Sequence, residues 1–138
     1  MQNPSQKLLQ SAGITTLNSM QAAMFDSVTR NEKVLLLSPT GSGKTLAYML
    51  PLAAAAKRIA EVPTLLVICP TRELVQQSVE VWKSLKTDFQ VIGLYGGRPA
   101  MEEHRVLKEL KPQIIIATPG RLNDHLDKEN FFAGGIHT

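Results

Sequence analysis

Four short aliphatic runs, residues 33–37 (KVLLL), 64–69 (TLLVIC), 90–94 (QVIGL) and 113–117 (QIIIA), carry Val, Ile and Leu without polar alternation. A strand with one wet face alternates apolar and polar residues, so unbroken runs of this length predict strands buried on both faces. The segments between them have a helical period. The stretch 44–60 is predicted as a helix kinked at Pro51, and 73–85 places Leu74, Ser78, Val81 and Leu85 on one stripe. The stretch 99–110 starts at Pro99, has Glu102 and Glu103 in its first turn and Lys108 and Lys111 near its end, and is stopped by Pro112. Ahead of the first run, Met20, Met24 and Val28 share one face of a helix that Asn18 would open as N-cap. A further short helix is expected over 119–126. Strand and helix alternate without repeat, linker or low-complexity tract, which predicts one α/β unit across 1–138 with a mostly parallel sheet and helices on both faces. Phe131, Phe132 and Ile136 read as apolar surface awaiting a covering element, so the domain is expected to be incomplete at Thr138.

Composition narrows this reading only a little. The 138 residues are 43% hydrophobic and 20% charged, as in a folded soluble protein. No apolar run approaches the roughly 18 residues of a membrane span, and residues 1–10 lack the order of a signal peptide, so an intracellular, cytoplasmic protein with no membrane partner is expected. Cys69 is the single cysteine; it is expected to be a small buried residue at a strand end. A net charge of +3 leans toward polyanionic partners but selects none. Several basic residues fall in the turns between strands and helices, and that placement is more informative than their number.

The first such turn, Ser38-Pro39-Thr40-Gly41-Ser42-Gly43-Lys44-Thr45, follows an aliphatic run and opens a helix, the context a phosphate-binding loop requires. Gly41 and Gly43 let successive backbone N–H groups curl inward, and the helix N-terminus adds partial positive charge. Lys44 would reach the outer phosphates of a nucleotide and the Thr45 hydroxyl would ligate Mg²⁺, making Lys44 and Thr45 the catalytic candidates. Ser38 stands where the common pattern has glycine, and its small size preserves the turn.

Three later turns follow the other runs: Pro70-Thr71-Arg72-Glu73-Leu74, Tyr95-Gly96-Gly97 and Thr118-Pro119-Gly120-Arg121. Thr71 can cap the following helix, leaving free N–H groups near Arg72, and the glycines allow a close backbone approach. Taken singly, Arg72 could merely pair with a carboxylate, Gly96 and Gly97 could merely turn the chain, and Arg121 could merely cap a helix. In register with the TGSGKT loop, the three turns closely resemble the DEAD-box family of superfamily 2 RNA helicases, from about Gly13 to Arg121.

That resemblance implies a RecA-like P-loop domain, a three-layer α/β sandwich of which this chain is the N-terminal part. It implies ATP and Mg²⁺ as ligands, held through Gln21, Ser38, Thr40, Gly41, Ser42, Gly43, Lys44 and Thr45. RNA would be held through its backbone, without regard to sequence, by Thr71, Arg72, Gly97, Thr118, Gly120 and Arg121. Residues 13–21 (GITTLNSMQ) are similar to the family's adenine-recognising motif, with Gln21 as the carboxamide that pairs with the base; Leu17 and Asn18 replace its usual proline and threonine, and Pro4 lies where an aromatic would stack. The family's Asp-Glu-Ala-Asp strand end and its second RecA-like domain are expected beyond Thr138, so this segment is expected to bind nucleotide and hydrolyse it negligibly alone. Asp124, Asp127 and Glu129 read as a solvated face, and His104, His125 and His137 lack metal-ligand spacing. Two other classes stay open: a noncatalytic, nucleotide-dependent RNA clamp or adaptor, which the altered adenine motif favours, and a P-loop enzyme unrelated to RNA, which the PTREL and TPGR turns disfavour.

Overall fold

The computed structural model describes residues 4–31, 33–39, 41, 43–56 and 61–138. In chain order the elements are α1 (Pro4–Ser11), α2 (Ser19–Arg30), α3 (Lys44–Ala55), β1 (Leu65–Ile68), α4 (Arg72–Ser84), β2 (Val91–Leu94), α5 (Ala100–Leu110), β3 (Ile114–Ala117) and α6 (Pro119–Asp127). A 3-10 turn at Ala133–Gly135 follows. The sheet is parallel in the order β1-β3-β2, with Leu65 and Val91 both in register with Ile114. All three strands therefore end at the same edge, and the turns after them share one rim.

β3 explains the layering. Ile114, Ile115, Ile116 and Ala117 are all fully buried, and alternate residues of a strand face opposite sides. Ile114 and Ile116 join Met49, Leu50, Val75, Trp82 and Leu85 from α3 and α4 and the end of α4. Ile115 and Ala117 join Leu107 and Leu122 from α5 and α6. One sheet between two helical layers is the architecture that an unbroken aliphatic strand demands.

Three expectations are corrected. Residues 33–37 form no strand, and Leu35 and Leu37 are each 84% exposed. A strand takes its hydrogen bonds from neighbours, and among the described residues β3 already has both of its neighbours. The outer edge of β1 is met instead by the last residues of the chain: His137 N donates to Thr64 O (3.0 Å) and Leu66 N donates to Thr138 O (2.8 Å). Second, the helix expected over 44–60 ends at Ala55 and contains Pro51 without interruption, while 57–60 lie outside the described residues. Third, the buried stripe of α4 is Val75, Ser78 and Trp82, continuing to Leu85; Leu74 is largely exposed. Packing against Ile114 and Ile116 of β3 selects the face that carries Val75 and Trp82.

Asn18 does cap α2, and in full: its side chain accepts from Gln21 N while the Gln21 side chain accepts from Asn18 N. Helix α1 had no counterpart in the sequence reading. Cys69 is buried just past β1, as expected of a small residue there.

Candidate functional site

The loop before α3 has the backbone of an anion cradle. Gly41 and Gly43 have φ of +79° and +87°, a region that side-chain-bearing residues avoid. Gly43 is the N-cap of α3 and offers no side-chain hydrogen bond, so the first amides of this helix lack the side-chain cap that Asn18 gives α2 and Thr71 gives α4. Lys44 folds back over the loop, donating to Ser38 O at 2.7 Å. Thr45 follows on the first turn of α3, half-buried. Thr40 and Ser42 lie outside the described residues. The glycine conformations, the uncapped helix start and the lysine aimed along the loop fit a nucleotide phosphate with its Mg²⁺.

Gln21, far away in sequence, comes to this loop. Its Nε2 donates to Gly43 O at 3.3 Å, and a methyl on Gly43 would lie 2.7 Å from that nitrogen. Its Oε1 completes the capping box by accepting from Asn18 N at 3.1 Å. The helix cap and the glycine loop are thus tied through Gln21, which is 8% exposed. The sequence motif that nominates Gln21 as an adenine reader also makes it a brace for the loop.

Beneath the PTREL turn, Tyr48 Oη lies 3.4 Å from Ser78 Oγ, which lies 3.7 Å from Cys69 Sγ. Burial pushes the Tyr48 phenol above its ordinary value, against the lowering effect of the Ser78 hydrogen bond. Its contact with Ser78 pins α3 to α4.

The other three turns converge on the rim at the carboxyl ends of β1, β2 and β3, where open α/β sheets present ligand surface. Thr71 caps α4 by accepting from Leu74 N at 3.2 Å, which leaves Arg72 on the first turn with its side chain 54% exposed. Its contact with Glu73, at 3.6 Å and similarly exposed, holds it weakly. Arg72 reaches the glycine turn after β2: Gly97 has φ of +96°, and a methyl on it would meet Arg72 Nη1 at 2.7 Å. From the other side Arg121 Nη2 comes within 3.9 Å of a methyl built on Gly96 and donates to Arg98 O at 3.1 Å. Arg72, Gly96, Gly97 and Arg121 thus form one cluster drawn from three turns. Thr118 and Gly120 stand at the start of α6, which has no side-chain cap.

Two features of the cluster were not legible as motifs. Arg121 is only 13% exposed and pairs with Glu103 at 3.5 Å, so its charge is turned inward more than that of Arg72. Glu103 and His125, both buried, are joined at 2.9 Å behind the turns. The available signal was position: Glu103 shares an i, i+4, i+7 stripe with Leu107 and Leu110, and His125 lies three residues after buried Leu122. Asp124, Asp127 and Glu129 are exposed, as expected, and no group of metal-binding side chains occurs among the described residues. No helix among them is long and apolar enough to cross a membrane.

The family model for the DEAD/DEAH box helicase matches residues 18–135. "DEAD-box ATP-dependent RNA helicase 26" of Oryza sativa subsp. japonica is 37% identical over 137 residues, covering 96% of this chain and 26% of that protein. "ATP-dependent RNA helicase DeaD" of Escherichia coli is 35% identical over 128 residues, covering 91% of this chain and 20% of that protein. The crystal structure of a hypothetical ATP-dependent RNA helicase from Sulfolobus tokodaii superposes with a TM-score of 0.78 at 27% identity, over 95% of this chain and 38% of that one. The chain thus spans about a quarter or less of the curated relatives it matches. With a parallel α/β sandwich, a glycine loop braced by a glutamine and three turns gathered on one rim, the chain belongs to the DEAD/DEAH box helicase family.

Proposed function

We propose that this chain is the ATP-binding and RNA-backbone-binding segment of an RNA helicase that uses ATP binding and hydrolysis to unwind or remodel RNA. The observation that carries the proposal is the convergence of Arg72, Gly97 and Arg121, from three turns, beside the uncapped N-terminus of α6. Exposed Arg72 supplies charge, and the glycine and helix-start amides supply donors at backbone level; such contacts hold sugar and phosphate and read no base. On the nucleotide side, Gly41, Gly43 and the start of α3 would hold the phosphates, with Ser38, Thr40 and Ser42 in the same loop. Lys44 would neutralise developing charge, Thr45 would take Mg²⁺ and Gln21 would face the adenine. Bound Mg²⁺ would supply electrostatic stabilisation at the phosphates. A second RecA-like domain is the partner such a segment needs to complete the ATP site.

The test is made on the full-length gene product. Arg72→Ala is expected to weaken binding of single-stranded RNA and to reduce the slope of log affinity against log salt by about one, with nucleotide affinity unchanged. Lys44→Ala is expected to do the reverse, removing ATP and ADP binding. RNA affinity and salt slope unaltered in Arg72→Ala would refute the RNA assignment, and equal nucleotide affinity in Lys44→Ala would refute the nucleotide assignment.

A further inference from the structure

We propose that Glu103, which lies outside every motif named above, is a positioning residue: it fixes the turn after β2 against the turn after β3 so that both can grip one RNA backbone. The inference rests on the RNA-binding reading just given.

Glu103 lies in the first turn of α5 with its side chain 1% exposed. Its carboxylate meets four donors. Oε2 accepts from Tyr95 N at 2.9 Å and pairs with Arg98 Nη2 at 3.2 Å. Oε1 faces His125 Nε2 at 2.9 Å and Arg121 Nη1 at 3.5 Å. Two of these donors belong to the turn after β2 and two to α6, which begins at the turn after β3. Arg121 closes the ring by donating to Arg98 O. Arg98 also donates to Gly93 O and lies over the Tyr95 ring, 4.1 Å from its centre. A buried carboxylate needs several donors to satisfy its two oxygens, and here they are drawn from two separate elements. Two donors from the turn after β2 and two from α6 set a distance between that turn and the helix that the turn after β3 opens.

The orientation of Glu103 is itself held from behind. His125 has no exposed surface; its Nδ1 faces Asn130 Nδ2 at 2.8 Å, and Asn130 Oδ1 faces His104 Nδ1 at 2.5 Å. One assignment satisfies the chain as placed: His104 donates to Asn130, Asn130 donates to His125 Nδ1, and His125 Nε2–H donates to the carboxylate. The direction follows because an ionised carboxylate only accepts.

Charge and geometry make opposite predictions, which makes the inference testable. If Glu103 acts only as a negative charge near the RNA path, removing it tightens RNA binding and steepens the salt dependence. If it positions the turns, removing it weakens binding. In the full-length gene product, Glu103→Ala is expected to lower affinity for a fluorescent oligouridine by roughly tenfold, with affinity for fluorescent ADP within about twofold of wild type. Glu103→Gln is expected to recover part of that RNA affinity, because the carboxamide oxygen can accept from Tyr95 N while its nitrogen donates to His125 Nε2, and only the contact with Arg121 is lost. The ring would then carry its proton on Nδ1 and Asn130 would turn over.

Equal or tighter RNA binding by Glu103→Ala overturns the inference, as does a Glu103→Gln that binds ADP normally but RNA as weakly as the alanine variant. If Glu103→Ala also loses ADP binding, its fold has failed and Arg98→Met decides. That variant is expected to lose about three- to tenfold in RNA affinity with an unaltered salt slope, whereas unchanged affinity, or a slope reduced by about one, overturns the inference. Failure of the wild-type protein to bind oligouridine sinks the RNA-binding reading and this inference with it; normal wild-type binding with an insensitive Glu103→Ala sinks only the inference.

Discussion

Gly97→Ala tests the apposition of the turns most sharply, because the structure assigns it two separate costs. The backbone at Gly97 has φ of +96°, where a Cβ crowds the following carbonyl, and the price of placing an L-residue in the left-handed region is about 1–2 kcal/mol. The new methyl would also stand 2.7 Å from Arg72 Nη1. The guanidinium is the free end of a flexible chain and can move, so that clash adds little to the stability cost. Moving it has a different effect: it takes the most exposed arginine of the cluster away from the glycine turn. Urea unfolding should therefore show a loss of about 1–2 kcal/mol, and anisotropy of a fluorescent oligouridine should show RNA affinity lowered about tenfold. ADP affinity should hold. A stability change below about 0.5 kcal/mol with unchanged RNA affinity would refute both the strained turn and the role given to Arg72 beside it.

Other substitutions probe the nucleotide side. Gln21→Ala removes half of the capping box and the bond to Gly43 O, so it should cost about 1 kcal/mol and level the competition between ATP and GTP. Asn18→Ala should cost similar stability yet keep the preference for ATP; equal discrimination in wild type and Gln21→Ala would show that the glutamine braces the loop without reading the base. Tyr48 gives a pH dependence. Its phenol titrates higher folded than unfolded, so its contribution is fully present below the unfolded value near 10 and is lost as pH rises through the higher folded value. Urea unfolding from about pH 9 to pH 11 should show this decline in wild type and its absence in Tyr48→Phe.

The parts of the fold that local chemistry dictates were legible in the sequence. Residues 113–117 announced β3 because a strand buried on both faces leaves no place for polar alternation, and Thr71 and Asn18 announced helix starts because their side chains satisfy the first amides. The same aliphatic signature misled at 33–37, where Leu35 and Leu37 stay exposed. A strand is a relation between segments, and composition cannot show whether a neighbour is at hand. On α4 two neighbouring stripes are both apolar, and only packing against the sheet shows that Val75 and Trp82, not Leu74, face the core. Spacing nominated the motif residues, but it could not show how differently they are placed. Arg72 and Arg121 look equivalent as letters, and only packing shows one at the surface and the other turned toward Glu103. Glu103 was hidden for a related reason: beside Glu102 in a first turn it reads as a complement to the helix dipole, and its partners come from positions 95, 98, 121 and 125.

The most direct measurement is the ATPase rate of the full-length gene product with and without single-stranded RNA, alongside Lys44→Ala. An RNA helicase built on this segment should hydrolyse ATP slowly alone, be stimulated about tenfold or more by RNA of any sequence, and lose all activity in Lys44→Ala. A rate indifferent to RNA would place the phosphate loop in an enzyme of another kind, and RNA and ATP binding without hydrolysis would identify a nucleotide-dependent clamp; either result would contradict the helicase assignment.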